Sequence, residues 1–223
     1  MLPELTQDEF SAALDAVAAS VIAVLGDVRP PIDALELASA LNLAVAWDTE
    51  QQGRARLVRL RGFGNATAQG SILLRPDPRR ERLQWAVAHE IGEVCAVQVF
   101  DHLGVDPREA PGGAREFVAN QLVGRLLLPR DLFGNAGRGC NWDLPTLKTQ
   151  FATASHELIA RRMLDFPPRV VITIFDHGRR TFRRGNLSGR TPAPTAPEMA
   201  AWRAAYASGQ PASESDVTCS VQA

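Results

Sequence analysis

The chain has 223 residues with a net charge of −1 and a pI near 6.4, which excludes a broadly basic nucleic-acid binder. At 45% hydrophobic it has material for an ordinary globular core, and its length fits one large domain or a core with a small appendage. Its basic residues are arginines except for Lys148, and Cys95, Cys140 and Cys219 form neither a CxxC pair nor a disulfide framework, as suits a reducing compartment.

In chain order, Phe10, Leu14, Val17 and Val21 repeat on one face and predict a helix from Thr6 to about Leu25. The acidic N-terminus has no apolar signal core, and no stretch approaches the length of a membrane span. A cytoplasmic location is therefore expected. Arg29-Pro30-Pro31 ends the helix, Asp33 caps a short one through Leu41, and Leu43–Trp47 reads as a strand. Ala55–Leu60 and Ser71–Leu74 read as two more strands, joined in hairpin fashion through Gly62-Phe-Gly64.

Asp77-Pro78 is an N-cap followed by the proline that a first helical turn tolerates, so a helix is expected from there to about Phe100. Pro111-Gly-Gly113 leads into a second long helix, Ala114 to Leu128, stopped by Pro129. A third helical stretch covers Leu144 to Leu164, and Val170–Phe175 with Thr181–Arg184 predict a terminal hairpin. The Pro/Ala/Ser/Thr composition after residue 187 predicts a flexible tail, with at most a short helix around Trp202, whose removal leaves the core's melting temperature unchanged.

The chemistry concentrates in the first long helix. His89 and Glu93 are four residues apart and share a helical face, while Glu90 lies roughly 100° round from His89. Positions one and five of such a pattern can hold a metal while position two reaches the attacking water. A His-Glu pair in a helix is more often a solvated face. Here Leu83, Val87, Ile91, Val94 and Val97 surround it, and unpaired carboxylates among apolar residues are costly. A third ligand must come from elsewhere, and Glu116 opens the next helix with Asn120 one turn on, placed to hydrogen-bond a ligand and fix its orientation.

These motifs resemble the IrrE/ImmA family of metallopeptidases. The family's pattern is an Ala-His-Glu-x-Gly-His helix, then Glu-x-x-Ala-Asn/Asp leading to Leu-Leu-x-Pro. This chain reads Ala88-His-Glu-Ile-Gly-Glu93, Glu116-Phe-Val-Ala-Asn120 and Leu126-Leu-Leu-Pro129. Pro30-Pro-Ile-Asp33 with Leu35-x-Leu-Ala38 resembles the family's entry. Leu147-x3-Phe151-Ala-Thr-Ala-Ser155 with Ala160-Arg-Arg-Met163 resembles its helix-turn-helix-like element, so the likeness spans about residues 27 to 165.

The resemblance implies an α+β fold: a small antiparallel or mixed sheet, a gluzincin-like helical metallopeptidase core over residues 1–140, and a helix-turn-helix-like element with a terminal hairpin over 141–187. It implies Zn²⁺ held by His89, Glu93 and Glu116, with Glu90 as general base. The implied substrate is a DNA-binding helix-turn-helix repressor, cleaved to release stress-response or mobile-element genes. Glu93 departs from the pattern, since the family has histidine there. One imidazole and two carboxylates leave a divalent site neutral rather than singly positive, which weakens its Lewis acidity and favours a harder ion such as Mn²⁺. No residue of its own helix offers Glu93 a cationic partner. A second reading is a non-hydrolysing pseudopeptidase that binds its protein partner, and in another arrangement His102 approaches the metal from the loop after the helix. Direct DNA binding through Leu144–Leu164 and Arg179, Arg180, Arg183 and Arg184 is opposed by the acidic balance of the chain.

Overall fold

The computed structural model describes residues 5–59, 70–216 and 219–223, and the predicted Gly62-Phe-Gly64 connection lies outside them. The chain is mixed α and β with small sheets, in two compact units. The first comprises residues 1–135 and 150–155, the second 136–149 and 156–223.

Helix α1 (Gln7–Ile22) starts at a capping box in which Thr6 and Glu9 satisfy each other's backbone N–H. It buries Leu14, Val17 and Val21, the predicted face. Helix α2 (Ala34–Ala40) is capped by Asp33, whose side chain accepts from Leu35 and Glu36. Strands β1 (Ala44–Trp47), β2 (Ala55–Arg59) and β3 (Gly70–Leu74) form one sheet in the order β1-β3-β2. Strand β1 runs parallel to β3 and β2 antiparallel to it, so the sheet is mixed and β2 is an edge strand.

Helix α3 (Arg80–His102) is 23 residues long, about 34 Å. It starts later than the sequence predicts. Asp77 accepts from the Arg79 N–H at 2.8 Å and so shapes the turn before the helix, which has Arg79 at its N-cap. Val87, Ile91 and Val99 on α3 pack into a core shared with α1, β3 and α4 (Ala114–Leu127), while Val97 faces solvent. Gln84, also buried, donates to Asp33 and accepts from the Ala34 N–H at 2.6 Å, which ties α3 to the start of α2.

Helix α5 (Arg130–Gly139) was not apparent in the sequence because of its glycines. Gly137 has a packing reason: a Cβ there would sit 2.6 Å from the Trp142 ring. The predicted 144–164 helix is two, α6 (Leu144–Gln150) and α7 (His156–Met163). In the second unit, β4 (Val171–Asp176) and β5 (Arg179–Gly185) form the predicted hairpin. Its two-residue turn has positive φ at both His177 and Gly178, which matches the twist of the strands.

The segment after residue 187 is more ordered than its composition suggests. Helix α8 (Ala196–Ser208) begins at a Thr195/Glu198 capping box, and β6 (Ser213–Ser215) pairs with β7 (Ser220–Gln222). Trp202 stacks on Phe175 at 4.4 Å between ring centroids. Glu198 accepts from Arg183 and Thr173 of the hairpin. Arg183 is thereby buried in an ion pair, which removes it from the arginines available to a phosphate backbone.

Burial works against the Glu198 carboxylate, but the bonds from Arg183, Thr173 and Thr195 outweigh it and hold its pKa below the ordinary value. A depressed carboxylate contributes stability above its unfolded pKa and loses it as pH falls through the folded one. Glu198→Gln should therefore destabilise the second unit by about 1–3 kcal/mol at pH 7, the scale for a hydrogen bond between charged, partly buried groups. In urea melts of the full chain the deficit should shrink below about pH 4. Truncation after Leu187 should also lower stability.

Candidate metal centre

His89, Glu93 and Glu116 come together although α3 and α4 are joined by an eleven-residue loop. The cause is a close approach of the two helices. A Cβ on Gly92 would lie 2.9 Å from the Ala119 carbonyl oxygen and 3.1 Å from its Cα, closer than side-chain atoms sit against backbone. Glycine at 92 facing alanine at 119 lets the backbones touch there, and the donors on each helix lie within one turn of that contact.

Each of the three residues offers a ligand atom, and these atoms lie within 4.8 Å of one another. His89 Nε2 and Glu116 Oε2 are 3.4 Å apart, close to the roughly 3.3 Å between donors of a tetrahedral ion with bonds of 2.0–2.1 Å. The His89 ring stacks on Trp85 one turn earlier, 5.1 Å between centroids and 12° between planes. Its buried Nδ1 has no hydrogen-bond partner among the described residues, so stacking rather than a carboxylate or carbonyl sets the ring's orientation. Asn120 donates to Glu116 Oε1 at 3.0 Å and steadies that exposed carboxylate, in the role its spacing suggested. An imidazole and two carboxylates gathered at these distances fit a divalent ion by donor chemistry.

Glu90 points elsewhere, as its angle predicts. It is buried, and its Oε2 accepts from the Leu57 N–H of edge strand β2 at 2.7 Å. Burial pushes its pKa up against that hydrogen bond. The His89 charge lowers it, and the Glu93 and Glu116 charges add to the rise.

Glu93 finds its cationic partner on the next helix rather than its own: Arg115 Nε lies 2.7 Å from Glu93 Oε2, and Arg115 Nη2 donates to the Glu93 carbonyl at 2.7 Å. One expectation changes. His102 is not in a following loop but in the last residue of α3, bonded to the Gln98 carbonyl. It stands 13 residues from His89, about 20 Å along the axis, and does not join the cluster. Cys95 is buried and does not join the cluster, and burial pushes its thiol up to about 11.

Sequence reasoning missed Trp85, Arg115 and the Leu57 N–H. Trp85 carried a signal, one turn from His89 on the same face. The other two depend on how α4 and β2 lie against α3, which spacing within one element does not reveal.

No family model matches the chain, and no curated protein matches it. Among solved structures, a Mycobacterium tuberculosis transcriptional regulator is similar, with a TM-score of 0.56 at 18% identity. The match covers 82% of this chain and 56% of that one, so this chain spans little more than half the regulator's length. At that identity the likeness concerns the fold. No described helix is long and apolar enough to cross a membrane.

Gly92→Ala should force α3 from α4 at the Ala119 carbonyl and cost about 1–3 kcal/mol by overpacking. It should also weaken metal binding at least tenfold, although no donor is altered. Urea melts and chelator competition on the same samples check both.

Proposed function

We propose that the chain is a metal-dependent endopeptidase of the IrrE/ImmA type, with His89, Glu93 and Glu116 holding Zn²⁺, or Mn²⁺, and Glu90 as general base. The observation that carries this is the three-donor cluster with a buried carboxylate one residue from its histidine. In this reading the first unit is the gluzincin-like core, and α6 with α7 is the helix-turn-helix-like element.

A divalent ion held by His89, Glu93 and Glu116 would supply Lewis acidity towards a peptide carbonyl and lower the pKa of water. Glu90 would be the proton acceptor. Burial raises its proton affinity towards the working range, and the Leu57 N–H fixes Oε2, leaving Oε1 to receive the proton. Asn120 holds Glu116 in place, and Trp85 holds the His89 ring.

The substrate in this proposal is a helix-turn-helix repressor, and cleavage relieves repression under stress. The likeness to a transcriptional regulator agrees with a regulatory setting. The location proposed is the cytoplasm, where such a partner works.

The Glu93–Arg115 pair favours a second reading, in which the site is a charge-balanced remnant and the protein binds its partner without cutting it.

Glu90→Gln, compared with wild type on a helix-turn-helix repressor as candidate substrate, separates these readings. The variant should keep its metal and lose cleavage by at least about 100-fold, the low end of general-base contributions. Loss of metal along with activity would make Glu90 a ligand. Wild-type protein that holds metal and binds the repressor uncut would establish the second reading.

A further inference from the structure

Arg115 occupies an electrostatically poor position. It is the second residue of α4, where the helix dipole disfavours a cation, and its side chain is 48% exposed. Exposed ion pairs add little stability, so holding two helices together is a weak reason for an arginine there. Yet the guanidinium meets one residue twice: Nε lies 2.7 Å from the Glu93 carboxylate, and Nη2 donates to the Glu93 carbonyl. Its neighbour Glu116 faces His89. Consecutive residues of α4 thus engage the two donors of α3, a carboxylate against the imidazole and a guanidinium against the carboxylate.

Charge gives this arrangement a meaning. One neutral imidazole and two carboxylates carry −2, and Arg115 brings the set to −1. That is the sum of two imidazoles and one carboxylate. We propose that Arg115 is a built-in counter-cation of the metal site, so that the Glu93–Arg115 pair acts as one neutral oxygen donor in place of an imidazole. The inference rests on the metal-site reading above and changes its electrostatics: a divalent ion leaves the site with net charge +1 instead of zero. Arg115 Nε lies against Oε2 of Glu93, and a carboxylate has two oxygens, so one can serve an ion while the guanidinium cancels the excess charge.

Removing the guanidinium should make the site more anionic and bind cations more tightly. A divalent ion and a guanidinium on opposite sides of one carboxylate repel each other even in a water-like dielectric, on the order of tenfold in affinity. The variants are Arg115→Gln, which removes the charge, and Arg115→Lys, which keeps it. Zinc and manganese affinities of the full-length chain are read by competition against a chromophoric chelator. Arg115→Gln should bind zinc about tenfold more tightly than wild type and shift its preference towards manganese, while Arg115→Lys stays within about threefold of wild type.

A Gln variant that binds zinc as the wild type does, or more weakly, overturns the role of Arg115 and leaves the metal site standing. Gln and Lys variants that move together overturn it too, since charge is then not the cause. If none of the three proteins binds either metal, this inference and the metal reading fall together.

Discussion

The contact between Gly92 and Ala119 is the constraint on which the candidate site depends. The closer two helices pack at their crossing, the nearer the side-chain donors on each come to one another. Here the Gly92 Cα faces the Ala119 backbone with no room for a methyl group. The donors of α3 lie three residues before that contact and one after it, and Glu116 lies three residues before Ala119. A single small-residue contact thus converts two sequence motifs, distant along the chain, into one cluster of atoms. Much of the remaining first-unit core serves to hold α3 still: Gln84 fastens its start to α2, and Val87, Ile91 and Val99 are buried on it.

Much of this was legible in the sequence because it follows from periodicity. Apolar periodicity gave α1, Asp33 gave the cap of α2, and the strand patterns gave β1 to β3. The four-residue spacings gave the shared faces of His89 with Glu93 and of Glu116 with Asn120. Other features depended on contacts between elements. Asp77 looked like an N-cap but hydrogen-bonds in the preceding turn. The sequence predicts no element between Pro129 and Leu144, where α5 packs Gly137 under the Trp142 ring. The segment after residue 187 has the composition of a tail, yet Trp202 and Glu198 find Phe175 and Arg183 on the hairpin. Composition reports what a segment can bury alone, not what a neighbour offers it.

The electrostatics of the site were the least legible part. Glu93 read alone is an anomaly that leaves the centre neutral and poorly acidic. With Arg115 at 2.7 Å it becomes half of a balanced pair. Glu90 shows the opposite treatment: burial raises its proton affinity, and one backbone N–H from Leu57 only partly opposes the rise. Two carboxylates three residues apart on one helix thus sit in different surroundings, one against a guanidinium and one buried beside an edge strand.

The central claim is that α3 and α4 together make one divalent metal site. It is tested most directly by the metal content of the purified full-length chain, measured by elemental analysis beside Glu116→Gln, which alters the donor on α4 and nothing on α3. The account predicts about one zinc or manganese per wild-type chain and a content well below one for the variant. A wild-type chain that carries no divalent metal after zinc or manganese loading, or a variant that keeps its full equivalent, would contradict it.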